Sequence, residues 1–594
     1  MTVEPSERDA AVLSDWARLL LGTLARAGVE HVVISPGSRS TPFAWAALET
    51  PGLTCHSVID ERSAAFFALG QGRVTGRPTL LVCTSGSAAA HYYPAIVEAA
   101  ESALPLLALT ADRPFEVQGA GAAQTLDQAK LYGDHVRAFF ELGHPEDDER
   151  ALDGLVRLAA QAVQASQGPA PGPVHLNAKA RKPLEPDATY ELSQAIAARL
   201  ERGPTRVKRV RSCPSAEDLS ELVLASASAA RGLIVAGPVA PTRAADARAL
   251  YALARATGYP LYAEAVSQAR FRAEPGAPVI GGFETLSRAG VVARLAPELV
   301  LVFGATPVSG ELERLLRKES VRYAVVTPHA HHDPVGRARS LVLADPFESA
   351  RVLAEALEGR IAPEALEQRR ALAREWQKRD DAYFELVDRV FDPGREGPLS
   401  EPAAVRIAVE ALPERGLLGL GNGLPVREAD AFVKPRDTGL SVWCQRGLSG
   451  IDGLVSGAIG AASVAGVPSV ALIGDVSFLH DLGGLALARE ATNPLALVVL
   501  DNGGGRIFES LPVARLFAAR PERADFWLTP GGFALEQAAR LYGVPYAFAD
   551  DARTLRHALD RALDRPGCSL IHARVVPDSC RSTLAELARL MFEA

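Results

Sequence analysis

"IGDVSFLHDLGGLALAREATNPLALVVLDNGGGRIF", residues Ile473 to Phe508, decides how this chain is read. Two apolar runs in it end on small, oxygen-bearing residues beside glycine: Gly474-Asp475, and Asp501-Asn502-Gly503-Gly504-Gly505. A P-loop would follow its glycines with Lys-Ser or Lys-Thr, and a dinucleotide fingerprint would open a helix with GxGxxG. Neither pattern occurs here. Taken as strand, helix and strand, "SVALIGD", "LHDLGGLALAREA" and "PLALVVLDN" form a β-α-β unit whose right-handed crossover makes the strands parallel. Asp475 and Asn502, 27 positions apart, then stand at the carboxyl ends of parallel strands, the edge at which open α/β sheets bind ligands.

A carboxylate, a side-chain amide oxygen and a backbone carbonyl in a Gly-rich turn offer three hard oxygen ligands. Mg²⁺ favours such ligands and takes its remaining positions from phosphate and water. The glycines allow the backbone to approach a phosphate closely. One reading is therefore a Mg-diphosphate site. The other is a helix-capping Asp followed by an ordinary Asn-Gly turn, and the segment alone leaves both open.

The same alternation of short apolar strands and amphipathic helices extends outward in both directions. "HVVISPG", "TLLVCTSG" and "LPLLALTADRP" belong to an N-terminal unit; "GLIVAGPV", "ELVLVFGAT" and "YAVVTPHAHHDP" belong to a second. Continuous apolar strands between helices imply parallel sheets covered on both faces. The expected architecture is α/β, with three consecutive doubly wound parallel-sheet domains over 1–187, 206–355 and 400–594 and a charged helical connector over 356–399. His329, His331, His332 and Asp333 match no common zinc spacing and are expected to form a strand-to-loop exit.

The chain has 594 residues, 48% of them hydrophobic, with a formal net charge of -8. That balance argues against a nucleic-acid or anionic-membrane partner and for small-molecule ligands. Six scattered cysteines show neither a zinc nor a disulfide pattern. The N-terminus lacks the basic start and apolar core of a signal peptide, so a cytoplasmic enzyme is expected. Leu454 to Gly474 carries no charge over 21 residues, long enough on paper to cross a bilayer. Its Gly, Ala and Ser content and Pro468 point instead to a buried small-residue helix followed by the strand "SVALIG".

Gly-Asp at one strand end with Asn 27 positions later resembles the motif of thiamine-diphosphate enzymes. The blocks "SPGSRSTP", "DERSAAFFALG", "TSGSAAAHYYPA", "LTADRP", "RGLSGIDGL" and "NGGGRIFESLP", in that order, are more narrowly similar to the 2-succinyl-5-enolpyruvyl-6-hydroxy-3-cyclohexene-1-carboxylate synthases of menaquinone biosynthesis. The resemblance implies a pyrimidine-binding domain at 1–187, a central domain at 206–355 and a diphosphate-binding domain at 400–594. It implies thiamine diphosphate with Mg²⁺, or Mn²⁺ as the alternative ion, held by Asp475, Asn502 and the Gly504 carbonyl, with Gly474 beside them.

By the same resemblance Glu61 is the catalytic glutamate that hydrogen-bonds the aminopyrimidine. Exchanging a proton there near neutral pH requires a carboxyl pKa above its usual ~4.3, which burial achieves, with Phe66 and Phe67 the nearest apolar groups in sequence. Without the resemblance, Glu61 beside Arg62 reads as a surface ion pair. Ile451 matches the apolar residue that keeps the two cofactor rings folded together. Ile507 and Phe508 line the cofactor pocket, Phe508 and Leu511 the substrate pocket.

The implied substrates are 2-oxoglutarate and isochorismate. Ser38, Arg39, Arg113, Gln124, Arg427 and Arg446 match substrate-binding positions, and the planar fork of Arg suits carboxylates. The implied reaction is decarboxylation of 2-oxoglutarate with the thiazolium as electron sink, then 1,4-addition of the four-carbon nucleophile to isochorismate. The alternatives are an acetolactate-synthase-like carboligase, a 2-oxoacid decarboxylase, or a non-catalytic subunit of this fold. The resemblance also implies a homodimer or homotetramer in which Glu61 and Asp475 meet across an interface. Asp501, Ala123, Gly423 and His91 depart from the family pattern. Asp501 is expected either to weaken diphosphate binding or to turn away and cap a turn.

Overall fold

A computed structural model describes residues 7–186, 191–208, 210–391 and 397–593. The expected boundary at 187 lies outside the described residues, as does 392–396 within the expected connector. The chain divides into two compact units. One comprises residues up to 209 with 445–464 and 481–491; the other comprises 210–444, 465–480 and 492–594.

The described residues form three six-stranded sheets, each parallel throughout. The first takes β1 (His31–Ile34), β2 (Thr54–Ser57), β3 (Thr79–Cys83), β4 (Leu106–Asp112), β5 (Ala138–Glu141) and β6 (Pro173–Lys179) in the order β2-β1-β3-β4-β6-β5. The second takes β7 (Gly232–Ala236), β8 (Leu261–Ala263), β9 (Val279–Ile280), β10 (Leu299–Phe303), β11 (Arg322–Thr327) and β12 (Ser340–Leu343) in the order β12-β11-β10-β7-β8-β9. The third takes β13 (Leu417–Leu420), β14 (Ser441–Cys444), β15 (Ser469–Gly474), β16 (Leu495–Asp501), β17 (Tyr546–Ala549) and β18 (Cys568–Arg574) in the order β14-β13-β15-β16-β18-β17. The first and third sheets thus share one strand order. Every residue of β3, β4 and β10 is buried, which is why these strands read as unbroken apolar runs.

In the first and third sheets the connections leave in opposite directions from the strand that opens the sheet. The resulting crevices lie between β1 and β3 and between β13 and β15, the positions at which doubly wound sheets bind ligands. Pairing of Gly474 with Leu500 sets the ends of β15 and β16 level, so the turns that follow emerge side by side.

The crossover between those strands is not the single helix expected from "LHDLGGLALAREA". It consists of a short helix, Asp475–His480, and a 3₁₀ segment, Leu482–Glu490. At the break the fully buried Asp481 accepts hydrogen bonds from Ser456 N (2.7 Å) and Ser456 Oγ (3.0 Å). It thereby satisfies the first turn of helix Leu454–Ala465. Gly484 follows at a point where a Cβ would come within 2.5 Å of Ser456 Oγ.

Helix Leu454–Ala465 explains the charge-free stretch. It lies along helix Glu61–Thr75 within the first unit, and the seam admits no side chains: a Cβ on Gly70 would stand 2.1 Å from the Gly457 oxygen, and one on Gly460 2.0 Å from the Phe67 oxygen. No helix among the described residues is long and apolar enough to cross a membrane. The charged stretch after 356 contains the 28-residue helix Pro363–Val390. Asp333 accepts from Tyr323 Oη (2.6 Å), Gly336 N and Ala338 N, and so closes the loop after β11.

His175, fully buried on β6 between the rings of Tyr132 and Phe139, hydrogen-bonds Thr110 Oγ1 through Nε2 at 2.8 Å. Burial pushes its pKa down from 6.5 to about 4, so the folded protein keeps the ring neutral at pH values where the unfolded chain protonates it. Its contribution to stability is complete above pH 6.5 and is lost as pH falls towards 4. The gap in thermal unfolding midpoint between the wild type and His175→Gln is therefore expected to narrow over that range; a gap independent of pH would contradict the assignment.

Candidate functional site

In the second unit, the turns after β15 and β16 meet. Asp475 is buried at the start of helix Asp475–His480, where Oδ1 accepts from Val476 N (2.8 Å) and Oδ2 accepts from Gly504 N (2.7 Å). Gly503 and Gly504 adopt φ of +79° and +125°, a region closed to most side chains. A Cβ on Gly504 would lie 2.2 Å from the Leu528 oxygen. The Gly504 carbonyl accepts from Arg506 N (2.8 Å) across Gly505, whose φ of -73° and ψ of 57° make an inverse γ-turn.

Asn502 is buried, and its Nδ2 donates to Glu401 Oε2 at 2.9 Å. That bond leaves Oδ1 buried with no hydrogen-bond partner, unusual for an acceptor of this strength. Asp475, Asn502 and Gly504, the three oxygen donors expected from the motif, therefore come together, with one acceptor unsatisfied.

The surroundings are strongly acidic. Burial raises the pKa of Asp475, with the charge of Asp501 adding to the shift. Burial likewise raises Glu401, further raised by Asp475, and raises Glu428, further raised by Glu401. Asp501 moves the other way, because His572 Nε2 hydrogen-bonds its Oδ2 at 2.8 Å; Oδ1 accepts from Gly503 N (3.2 Å). Asp501 thus caps the turn and pairs with β18. Burial disfavours the charged form of these carboxyl groups, and a divalent cation is the kind of partner that favours it. The orphaned Asn502 oxygen and this excess of negative charge both fit Mg²⁺.

Gly474, partly buried, ends β15. Ile507 and Phe508 are half-buried in the 3₁₀ turn Arg506–Ser510, which follows directly from Gly505, and Leu511 is exposed after it. Arg427, exposed on helix Leu424–Phe432, folds back onto the carbonyls of Asn422 (2.8 Å) and Gly423 (2.6 Å) beside the end of β13. Gly423 stands just before that helix.

In the first unit a second group of expected residues converges between β1 and β3. Arg39 is buried; its backbone N donates to Thr84 Oγ1 (3.3 Å) and its Nη1 to the Ala180 carbonyl (2.6 Å). Gln124 Nε2 donates to the Ser85 carbonyl (3.0 Å), and Arg113 Nε donates to the Gln124 carbonyl (3.4 Å). Arg39 Nε is buried with no hydrogen-bond partner. Burial lowers the pKa of Arg39, and repulsion by Arg113 lowers it further. Two guanidinium groups held this close suit an anion. Ser38 lies exposed on the same 3₁₀ turn as Arg39, and Ala123 and His91 are exposed.

Glu61 occupies the first turn of helix Glu61–Thr75, after β2, where Asp60 caps Arg62 N (2.9 Å) and Ser63 N. It is half-buried and electrostatically coupled to the buried Cys83. Phe66 and Phe67, further along the same helix, are fully buried. Phe66 fills the place where a Cβ on Gly453 would stand, and Phe67 packs its edge on His56. The same packing places Ile451, 37% exposed, two residues before Gly453. Arg446 opens the loop that leads to Ile451; Glu98, buried, accepts from the next two backbone groups, Gly447 N (3.1 Å) and Leu448 N (2.7 Å).

Sequence reasoning missed Glu401, Glu98 and Thr84. Thr84 sits inside a quoted block, "TSGSAAA", and could have been found there. Glu401 and Glu98 are single carboxylates on helices with no motif around them, so nothing local marks their distant partners.

The thiamine pyrophosphate enzyme N-terminal TPP binding domain matches residues 15–131, and the corresponding C-terminal TPP binding domain matches 428–573. A 2-succinyl-5-enolpyruvyl-6-hydroxy-3-cyclohexene-1-carboxylate synthase of Sorangium cellulosum is 46% identical over 97% of this chain and 94% of its own length. The chain belongs to this synthase family. Synthases of the same name from Halorubrum lacusprofundi and Geobacillus kaustophilus are each 38% identical, over 96% and 95% of this chain and the same shares of their own lengths. The synthase family is thiamine-diphosphate-dependent, and the turn built on Asp475, Asn502 and Gly504 lies inside the matched C-terminal domain.

Gly504→Ala is expected to raise the thiamine-diphosphate dissociation constant roughly tenfold or more, since forcing a Cβ into this φ costs about 1–3 kcal/mol before the clash with Leu528. Titration of intrinsic fluorescence with the cofactor at fixed Mg²⁺ measures it, with far-UV circular dichroism unchanged. Wild-type affinity in this variant would remove the turn from the site.

Proposed function

We propose that this chain is a thiamine-diphosphate-dependent synthase that decarboxylates 2-oxoglutarate and joins the resulting four-carbon unit to isochorismate. The product is 2-succinyl-5-enolpyruvyl-6-hydroxy-3-cyclohexene-1-carboxylate, on the route to menaquinone. The observation that carries this reading is the similarity to synthases of that name along nearly the whole chain, at up to 46% identity. When bound, thiamine diphosphate supplies a carbon nucleophile and an electron sink.

The residues of this chain do the rest. Asp475, Asn502 and the Gly504 carbonyl hold Mg²⁺, or Mn²⁺ in its place, and through it the diphosphate. Glu61 exchanges a proton with the ring nitrogen of the aminopyrimidine, and Ile451 supports the folded cofactor from its apolar side. Ile507 and Phe508 exclude water next to the turn. Arg39, Arg113 and Gln124, already gathered around Thr84 and Ser85, bind substrate carboxylates, with Ser38, Arg427, Arg446 and Leu511 completing the pocket. The unpartnered Nε of Arg39 is a donor available for that purpose. The protein works in the cytoplasm as a homodimer or homotetramer, with Glu61 of one subunit meeting Asp475 of another.

The test follows CO₂ release from 2-oxoglutarate with thiamine diphosphate and Mg²⁺, with and without isochorismate. Wild type is expected to form the coupled product, and Glu61→Gln to lose about 10²–10⁴-fold in rate, the range of a lost proton-transfer group, while still binding the cofactor. Turnover of pyruvate in place of 2-oxoglutarate, or no cofactor-dependent product, would overturn the reading.

A further inference from the structure

Asn502 sits at the end of β16 with its amide fully committed on one side. A side-chain amide presents one oxygen and one NH₂ group at nearly identical positions, and a rotation of 180° exchanges them. Only one of the two orientations can ligate a cation. What chooses the orientation here is Glu401: its Oε2 accepts from Asn502 Nδ2 at 2.9 Å, and both residues are at least nine-tenths buried. A carboxylate oxygen cannot donate when ionised, so the opposite rotamer would set two acceptors against each other in a dry site.

Glu401 is itself firmly anchored. Ser400 caps helix Glu401–Ala411 through Ala403 N, and Glu401 N donates to Ser579 Oγ at 3.0 Å. Two residues before Glu401, Leu399 accepts from Val576 N (2.8 Å) and donates to the Asp550 carbonyl (2.8 Å). The segment is therefore fastened to the strand exits of β17 and β18, independently of the turn that carries Asn502. The result is an acceptor held from outside the cofactor turn and aimed at one atom of it, while the other atom, Oδ1, is left without a hydrogen-bond partner.

We propose that Glu401 is a positioning residue that locks the Asn502 amide with Oδ1 presented to the divalent cation and Nδ2 turned away. This rests on the reading of Asn502 as a ligand of the cofactor's metal ion. Groups that orient a ligand in this way commonly contribute 10–100-fold to metal affinity. The lone helix-start glutamate in "PLSEPAAV" would then matter as much to cofactor loading as the motif residues.

The experiment measures the Mg²⁺ concentration needed for thiamine-diphosphate binding, read from intrinsic fluorescence without turnover, in wild type and in Glu401→Leu, Glu401→Asp and Glu401→Gln. Leu offers no acceptor, and Asp is one methylene too short to reach Nδ2. Both are expected to need about 10–100-fold more Mg²⁺. Gln keeps an acceptor oxygen at the same reach but adds an NH₂ group that would satisfy the flipped amide equally well, so it is expected to need a Mg²⁺ concentration between those of wild type and the Leu variant, an order that a merely space-filling role would not produce. In an Asn502→Ala background Glu401→Leu is expected to add no further loss, because its effect passes through the missing amide. Two variants of different shape keep the comparison readable if one of them fails to fold. Wild-type Mg²⁺ dependence in a folded Leu or Asp variant, or a further loss on adding Glu401→Leu to Asn502→Ala, would overturn the proposal. Absence of Mg²⁺-dependent cofactor binding in the wild type would instead overturn the underlying reading of the site.

Discussion

The parallel pairing of β15 with β16 is the constraint from which the turn carrying Asn502 and Gly504 follows. Because Gly474 pairs with Leu500, Asp475 and Asn502 leave adjacent strands at the same level. The Gly504 amide can then reach back to the Asp475 carboxylate at 2.7 Å. A one-residue change of register would reverse the faces of the strand and send Asn502 away from Glu401. The φ of +125° at Gly504 and the absence of room for its Cβ are consequences of this closure, as the turn must double back within three residues.

Charge is the second constraint. Burial raises the pKa of Asp475, Glu401 and Glu428, and the charge of Asp475 adds to the rise at Glu401 as that of Glu401 adds to the rise at Glu428. Burying such groups without a counter-charge is unfavourable. Asp501 escapes the effect because His572 on β18 hydrogen-bonds its carboxylate. The residue that departs most visibly from the motif is thus accommodated by a partner 71 positions away.

The fold was largely legible in the sequence. Unbroken apolar strands alternating with amphipathic helices specify parallel sheets covered on both faces, and that signal needs no long-range information. The convergence of Asp475, Asn502 and Gly504 was legible for the same reason, since strand ends in a β-α-β unit are neighbours by local connectivity. The crossover was misread as one helix because its break is imposed by Asp481 bonding to Ser456, a contact that sequence spacing does not announce. The packing of Phe66 and Phe67 was not legible either, because they meet a glycine seam whose other half lies nearly 400 residues further along the chain.

By itself the sequence determined the class of fold, the strand-end placement of Asp475 and Asn502, and, through its blocks, the family. These depend on period, turn chemistry and order along the chain. Only the tertiary structure decided which buried carboxylate hydrogen-bonds Asn502, how Arg39, Arg113 and Gln124 gather around Thr84, and which side chain pairs with Asp501. Each of these is a contact between residues that are distant in sequence. Their pairing depends on how sheets and helices stack, and one-dimensional periodicity does not carry that information.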